Sequence, residues 1–147
     1  MGKKRIVTKT GTERLSISEK ARLLAQKLAK KKGVNQVKIY IRASYNNTIL
    51  TLTDLKGNVL AWVTAGSLGF KGPKKATPYA ASKVAEVLME AIKKMGVSSA
   101  EVYLEGIGAG RQSALYSLAA QGLNIVLIKD ITPIPHNGPK PPNVRRV

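Results

Sequence analysis

Between residues 33 and 147 the chain has six carboxylates: Asp54, Glu86, Glu90, Glu101, Glu105 and Asp130. A hydrolase working through two divalent ions needs several such groups converging on one point. None of these six has the spacing of a metal-ligand set. Glu86 and Glu90 fall on the helix face opposite an apolar stripe, where a solvated surface is the simpler reading. His136 is the single histidine and sits in a proline-rich tail. It reads there as a hydrogen-bonding or stacking group rather than a general base. With no cysteine, disulfides, thiolate metal sites and thiol nucleophiles are all excluded.

Groups able to receive an anion are better represented. Gly106-Ile-Gly-Ala-Gly110-Arg111-Gln-Ser113 opens a helix. There Gly108 and Gly110 would let a phosphate approach free backbone amides, and Arg111 would add a forked donor. A plain strand-to-helix turn explains the same residues equally well. No Gly-Lys-Ser/Thr follows, so this is no mononucleotide loop. Gly69-Phe-Lys-Gly-Pro-Lys-Lys75 places Lys71, Lys74 and Lys75 in a glycine loop ahead of a second helix, and an RNA contact is favoured over a merely solvated loop. Asn46-Asn47-Thr48 is either a simple turn or a set of side chains for sugars and base edges. From Asp130 onward five prolines and a glycine forbid a helix or an interior strand. This end runs extended, carries His136-Asn137-Gly138 and Lys140, and finishes on Arg145 and Arg146.

The whole composition leans the same way. Twenty-five Lys and Arg against eight Asp and Glu leave a formal charge of +17 on 147 residues. That excess points to a polyanionic partner. It is concentrated at the ends: residues 1–32 hold 11 basic and 2 acidic groups, and residues 129–147 hold 4 and 1. Aromatics are only 5% of the chain. Recognition should therefore rest on phosphates and shape more than on base stacking. The first residues lack a signal-peptide core, and no apolar run approaches membrane-spanning length.

The elements that must position these groups follow from periodicity. Ser16 and Glu19 fit a capping box for a helix over 16–32, with Ala21, Leu24, Ala25 and Leu28 as its stripe. Val37, Ile39, Ile41 and Ala43 alternate with polar partners as a strand. Further strands are expected over 48–54 and 59–65, giving an antiparallel meander, followed by a loop over 66–76. Thr77-Pro78 starts a helix whose stripe is Ala81, Val84, Ala85, Leu88, Ala91, Ile92 and Met95, and Gly96 stops it. A strand near 101–106 and a helix over 111–121, with Leu115, Leu118 and Ala119 inward, come next. Ile125-Val-Leu-Ile128 has no alternation and reads as a strand covered on both faces. The order predicts an α/β fold: a mixed five-stranded sheet with helices packed on it, compatible with a ribonuclease-H-like topology, with parallel pairing through the helical crossovers. Three parts are expected: a basic N-terminal extension over 1–33, a globular domain over 34–131, and an extended basic tail over 132–147.

Several stretches, in order, resemble one family. Ala43-Ser-Tyr-Asn-Asn-Thr48, Ala65-Gly66, Gly69-Phe-Lys-Gly72, Thr77-Pro-Tyr-Ala-Ala81, Gly108-Ala-Gly-Arg111 and Thr132-Pro-Ile-Pro-His-Asn-Gly138, with Pro141-Pro142 and Arg145-Arg146-Val147, are similar to the bacterial-type eleventh small-subunit ribosomal protein family, a platform protein of the ribosome. The chain departs from the family at Gly106-Ile-Gly-Ala-Gly110, where that family usually alternates Gly and Pro, at Pro139, where it usually has Cys, and at Ser67 and Leu68. The resemblance implies a ribonuclease-H-like fold and a structural, non-enzymatic role. It implies small-subunit rRNA, neighbouring platform proteins and mRNA near the exit site as partners. No cofactor, metal, membrane or small-molecule substrate is expected, and the implied place is the cytoplasmic ribosome. A metal-dependent nuclease on the same fold and a free nucleic-acid chaperone are the alternative readings.

Overall fold

The computed structural model describes residues 35–140, together with Glu19, Leu23, Pro142 and Asn143. Glu19 and Leu23 are helical. The capping Ser16 and the stripe expected over 16–32 lie outside the described residues, as do Arg145 and Arg146.

Five strands form one sheet: β1 (Gln36–Ala43), β2 (Thr48–Thr53), β3 (Val59–Thr64), β4 (Ser99–Glu105) and β5 (Ile125–Asp130). The helices α1 (Pro78–Met95) and α2 (Gly110–Ala120) enter before and after β4. The strand order is β3-β2-β1-β4-β5. β1–β2 and β2–β3 are antiparallel, while β1–β4 and β4–β5 are parallel. The mixed α/β sheet read from the sequence is therefore the one observed, with its meander on one side of β1 and its helical crossovers on the other.

The core lies between one sheet face and the two helices. Val37, Ile39, Ile41, Leu50, Leu52, Val63 and Val102 are all but inaccessible, as are Val84, Leu88 and Ile92 of α1. Burying each of those three helix side chains contributes about 1.5–3 kcal/mol. α1 starts where Thr77 Oγ1 accepts the Ala80 amide at 3.3 Å, with Pro78 as first helical residue. It stops at Gly96, whose φ of 75° is open to glycine.

Three expectations need correction. The stretch over 66–76 is not all loop: Gly72–Ala76 winds into one 3-10 turn led by Pro73. In α2 the inward side chains are Ala114 and Leu118, with Leu115 half-buried against the core as expected, while Ala119 faces out. The largest difference is β5. It lies at the sheet edge, and Val126, Leu127 and Ile128 are 61%, 43% and 54% exposed. An unbroken apolar run reads as a strand covered twice. Here α1 and α2 pack over β1–β4 and leave β5 bare among the described residues.

Candidate nucleic-acid interface

The β1–β2 corner is held by Ser44. Its amide donates to Asn47 O (2.9 Å), and its hydroxyl oxygen accepts the Asn47 amide (3.1 Å). Asn47 Oδ1 in turn accepts the Thr48 amide at 3.0 Å. Asn46 is exposed and Asn47 half-buried. Thr48 is fully buried, so it cannot present its hydroxyl to RNA. Its role is packing: a Cβ on Gly110 would come within 2.6 Å of its Oγ1.

The same crowding decides the turn over 106–110. A Cβ on Gly106 would stand 2.2 Å from Ala43 O, and one on Gly108 would stand 2.4 Å from Ser44 O. Both expected phosphate-cradle glycines, Gly108 and Gly110, are buried. The close approach they permit is to the β1–β2 corner, with Gly108 N donating to Ala43 O at 2.9 Å. Arg111 is tied inward as well. Its Nη1 donates to Gly106 O at 3.1 Å, and its Nη2 pairs with Asp130.

Asp130 closes this latch. Its Oδ1 accepts the Thr132 hydroxyl (2.7 Å) and amide (2.9 Å), and Thr132 Oγ1 accepts the Gly106 amide at 3.1 Å. The two hydrogen bonds from Thr132, with the Arg111 guanidinium beside them, hold the Asp130 carboxyl down to about 2. The tail thus leaves the fold from a fixed point. Beyond it Ile134, His136, Asn137, Gly138 and Lys140 are exposed. A bend forms where Asn137 takes a φ of 53°, a left-handed value that asparagine tolerates. The Cβ and Cγ of Pro135 lie against Gly138.

Lys71, Lys74 and Lys75 sit differently. Lys71 and Lys74 are exposed and Lys75 is half-buried on the 3-10 turn. The ion pairs among the described residues are Arg42–Glu105, Lys83–Glu86 and Arg111–Asp130, so none of these three lysines is neutralised by a carboxylate. The turn precedes the N-terminus of the 18-residue α1, whose first turn holds no acidic group. Three cations at the positive end of a helix dipole repel one another and the dipole until an anion arrives.

The carboxylates are dispersed. Asp54 is bound to Asn58 across the β2–β3 turn, whose side-chain amide pulls its pKa below the ordinary carboxylate value. Glu101 accepts the Tyr103 hydroxyl at 3.0 Å. Among the described residues no three acidic or histidine side chains gather in a way that could hold a metal ion. One arrangement escaped the sequence reading. Tyr40 and Tyr103, cross-strand neighbours, stack at 5.1 Å on the sheet face away from the helices. The alternation of β1 had already placed Tyr40 on that face.

The described residues thus form a mixed α/β domain with dispersed carboxylates and an unneutralised cationic loop. Comparison makes the class specific. Residues 36–146 match the family model of ribosomal protein S11, and the chain belongs to that family. It is 47% identical over 117 residues to the small ribosomal subunit protein uS11 of Borreliella burgdorferi (strain ZS7), an alignment covering 80% of this chain and 90% of that protein. The uS11 proteins of Borreliella afzelii (strain PKo) and Borrelia garinii subsp. bavariensis match to the same extent. The chain is a structural protein of the small ribosomal subunit and not an enzyme.

Proposed function

We propose that the chain binds small-subunit rRNA through phosphate and shape contacts. In this reading it sits on the platform near the exit-site side of the mRNA path, in the cytoplasmic ribosome, beside other platform proteins. The observation that carries the reading is the unneutralised loop of Lys71, Lys74 and Lys75 at the positive end of α1. The exposed tail with His136, Asn137, Gly138 and Lys140 supports it, and so does Asn46 at the exposed corner. Arg145 and Arg146 would extend the tail's hold. Arg111, Gly108, Gly110 and Thr48 serve the reading indirectly, by fixing the corner and the tail's point of departure. Asn47 offers RNA only its outer edge.

The test is equilibrium binding of the full chain to a structured small-subunit RNA fragment across a salt series. Counterion release makes affinity fall by orders of magnitude over a few-fold rise in salt when six or more phosphates are engaged. A flat salt dependence would remove the phosphate reading. The tail is tested separately: protein lacking residues 133–147 should keep its thermal midpoint yet lose to the full chain in competition for assembly into small subunits.

A further inference from the structure

The sheet face away from the helices carries a row that crosses all five strands. Register places Trp62 of β3 beside Thr51 of β2, Thr51 beside Tyr40 of β1, Tyr40 beside Tyr103 of β4, and Tyr103 beside Lys129 of β5. Trp62 is 56% exposed. The Tyr40 and Tyr103 rings lie nearly parallel, 16° apart. The row therefore runs large, small, large, large, cation.

Trp62 and Tyr40 stand two strands apart, roughly 10 Å at the usual strand spacing, and only Thr51 rises between them. Stacked bases repeat at about 3.4 Å, so a base held between two rings needs roughly 7 Å. A strand spacing of this size over a threonine floor leaves room for one base between the two rings. The stacked tyrosines would continue the column. Beside the slot is Arg42, 66% exposed and only loosely held by Glu105 at 3.6 Å, and three strands along the row is Lys129, exposed and without an ion pair among the described residues. Lys38 donates to Leu55 O, and Glu101 is engaged by Tyr103. Among the described residues Glu101 and Glu105 are the anions on this face, against Lys38, Arg42 and Lys129.

We propose that this face takes an unpaired nucleobase of single-stranded RNA between Trp62 and Tyr40, with Arg42 meeting a flanking phosphate and Lys129 one further along the strand. The inference rests on the RNA-binding reading above and adds to it a contact that duplex RNA cannot make, because paired bases hide their faces. An exposed Trp62 beside half-buried Tyr40 and Tyr103 suits a base better than an aliphatic protein surface, and the chain's +17 charge favours RNA.

Trp62 is the only tryptophan, so its emission reports on the slot. The full chain is titrated with a single-stranded adenylate octamer and with a blunt-ended, fully paired RNA duplex, following emission and the anisotropy of labelled RNA. The octamer should quench Trp62 saturably and the duplex should not. Tyr40→Leu, or Thr51→Leu to fill the slot, should weaken octamer binding about tenfold and leave duplex binding unchanged. Circular dichroism confirms folding, and the two variants serve as independent arms. Unchanged octamer affinity in a folded variant, or equal quenching by both RNAs, overturns the slot. Duplex binding with a steep salt slope but no octamer quenching defeats the slot and leaves the phosphate reading standing. Loss of both defeats both. Shielding of Trp62 from acrylamide before RNA is added would mean that the chain itself or a second copy covers this face, and would also overturn it.

Discussion

Gly66, Gly69 and Gly72 run up to α1 much as Gly106, Gly108 and Gly110 run up to α2. In sequence both segments look able to cradle a phosphate at a helix start. The structure separates them. Around 106–110 every opening faces the protein's own atoms: Ala43 O, Ser44 O and the Thr48 and Ala81 side chains fill the space a phosphate would need, and Arg111 is taken by Gly106 O and Asp130. Around 66–76, a Cβ on Gly72 would meet nothing within 4 Å, and the lysines have no carboxylate partner among the described residues. One segment is a fastener, and the other is a charged surface held ready. Glycine content therefore reports close approach without saying to what.

The sharpest way to break this comparison is Gly108→Ala. The added methyl would press on Ser44 O, a backbone atom that cannot swing aside, and Gly108 has no positive φ to confuse the cause. The expected loss is about 3 kcal/mol or more, enough to lower soluble yield. Gly72→Ala, with φ of 57° but open space, should cost only about 1–2 kcal/mol. Urea unfolding of both measures the difference, and equal losses would mean that the turn over 106–110 can yield.

Replacing Lys71, Lys74 and Lys75 together by Ala should have the opposite signature. RNA affinity should fall, and the slope of log affinity against log salt should shrink by roughly 2–3, about 0.9 for each phosphate contact removed. The thermal midpoint should hold or rise slightly, because the repulsion at the α1 N-terminus is relieved. A lower midpoint together with an unchanged slope would make these lysines structural.

Much of this architecture was legible beforehand. The alternation in β1 and the 3.6-residue stripe of α1 are local patterns written by burial, and Ile39, Ile41, Val84 and Leu88 fall where they place them. Thr77-Pro78 and Gly96 marked the ends of α1 through chemistry that acts within one turn. What could not be read were facts about neighbours. The run Ile125–Ile128 is apolar whether a strand is covered or lies at an edge, and only the strand order tells which. Thr48 looked like a polar turn residue until Gly110 closed on it. Counting aromatics missed the row of Trp62, Tyr40 and Tyr103, because a small number gathered on one face differs from the same number scattered.

The smallest effect tests the latch from its acid end. The Asp130 carboxyl is held at about 2 in the folded chain, against an ordinary value of 3.8. A depressed carboxylate stabilises the fold fully above its unfolded value, where both states are ionised. As pH drops below about 4 the unfolded chain takes up its proton first, and the contribution drains away until pH falls through about 2. The thermal midpoint should therefore decline over that window. In Asp130→Asn the decline should be shallower and the midpoint at neutral pH slightly lower. It should not vanish, because the Asp54 carboxyl is also lowered, by Asn58, and titrates in the same direction. Asp130 is half-exposed, so salt weakens the effect and low ionic strength gives the clearest reading. Identical acid profiles for the two proteins would mean that Thr132 and Arg111 hold the carboxylate only loosely, and the fixed departure of the tail would then have to come from the Ile131 amide on Leu104 O and the Gly106 amide on Thr132 Oγ1.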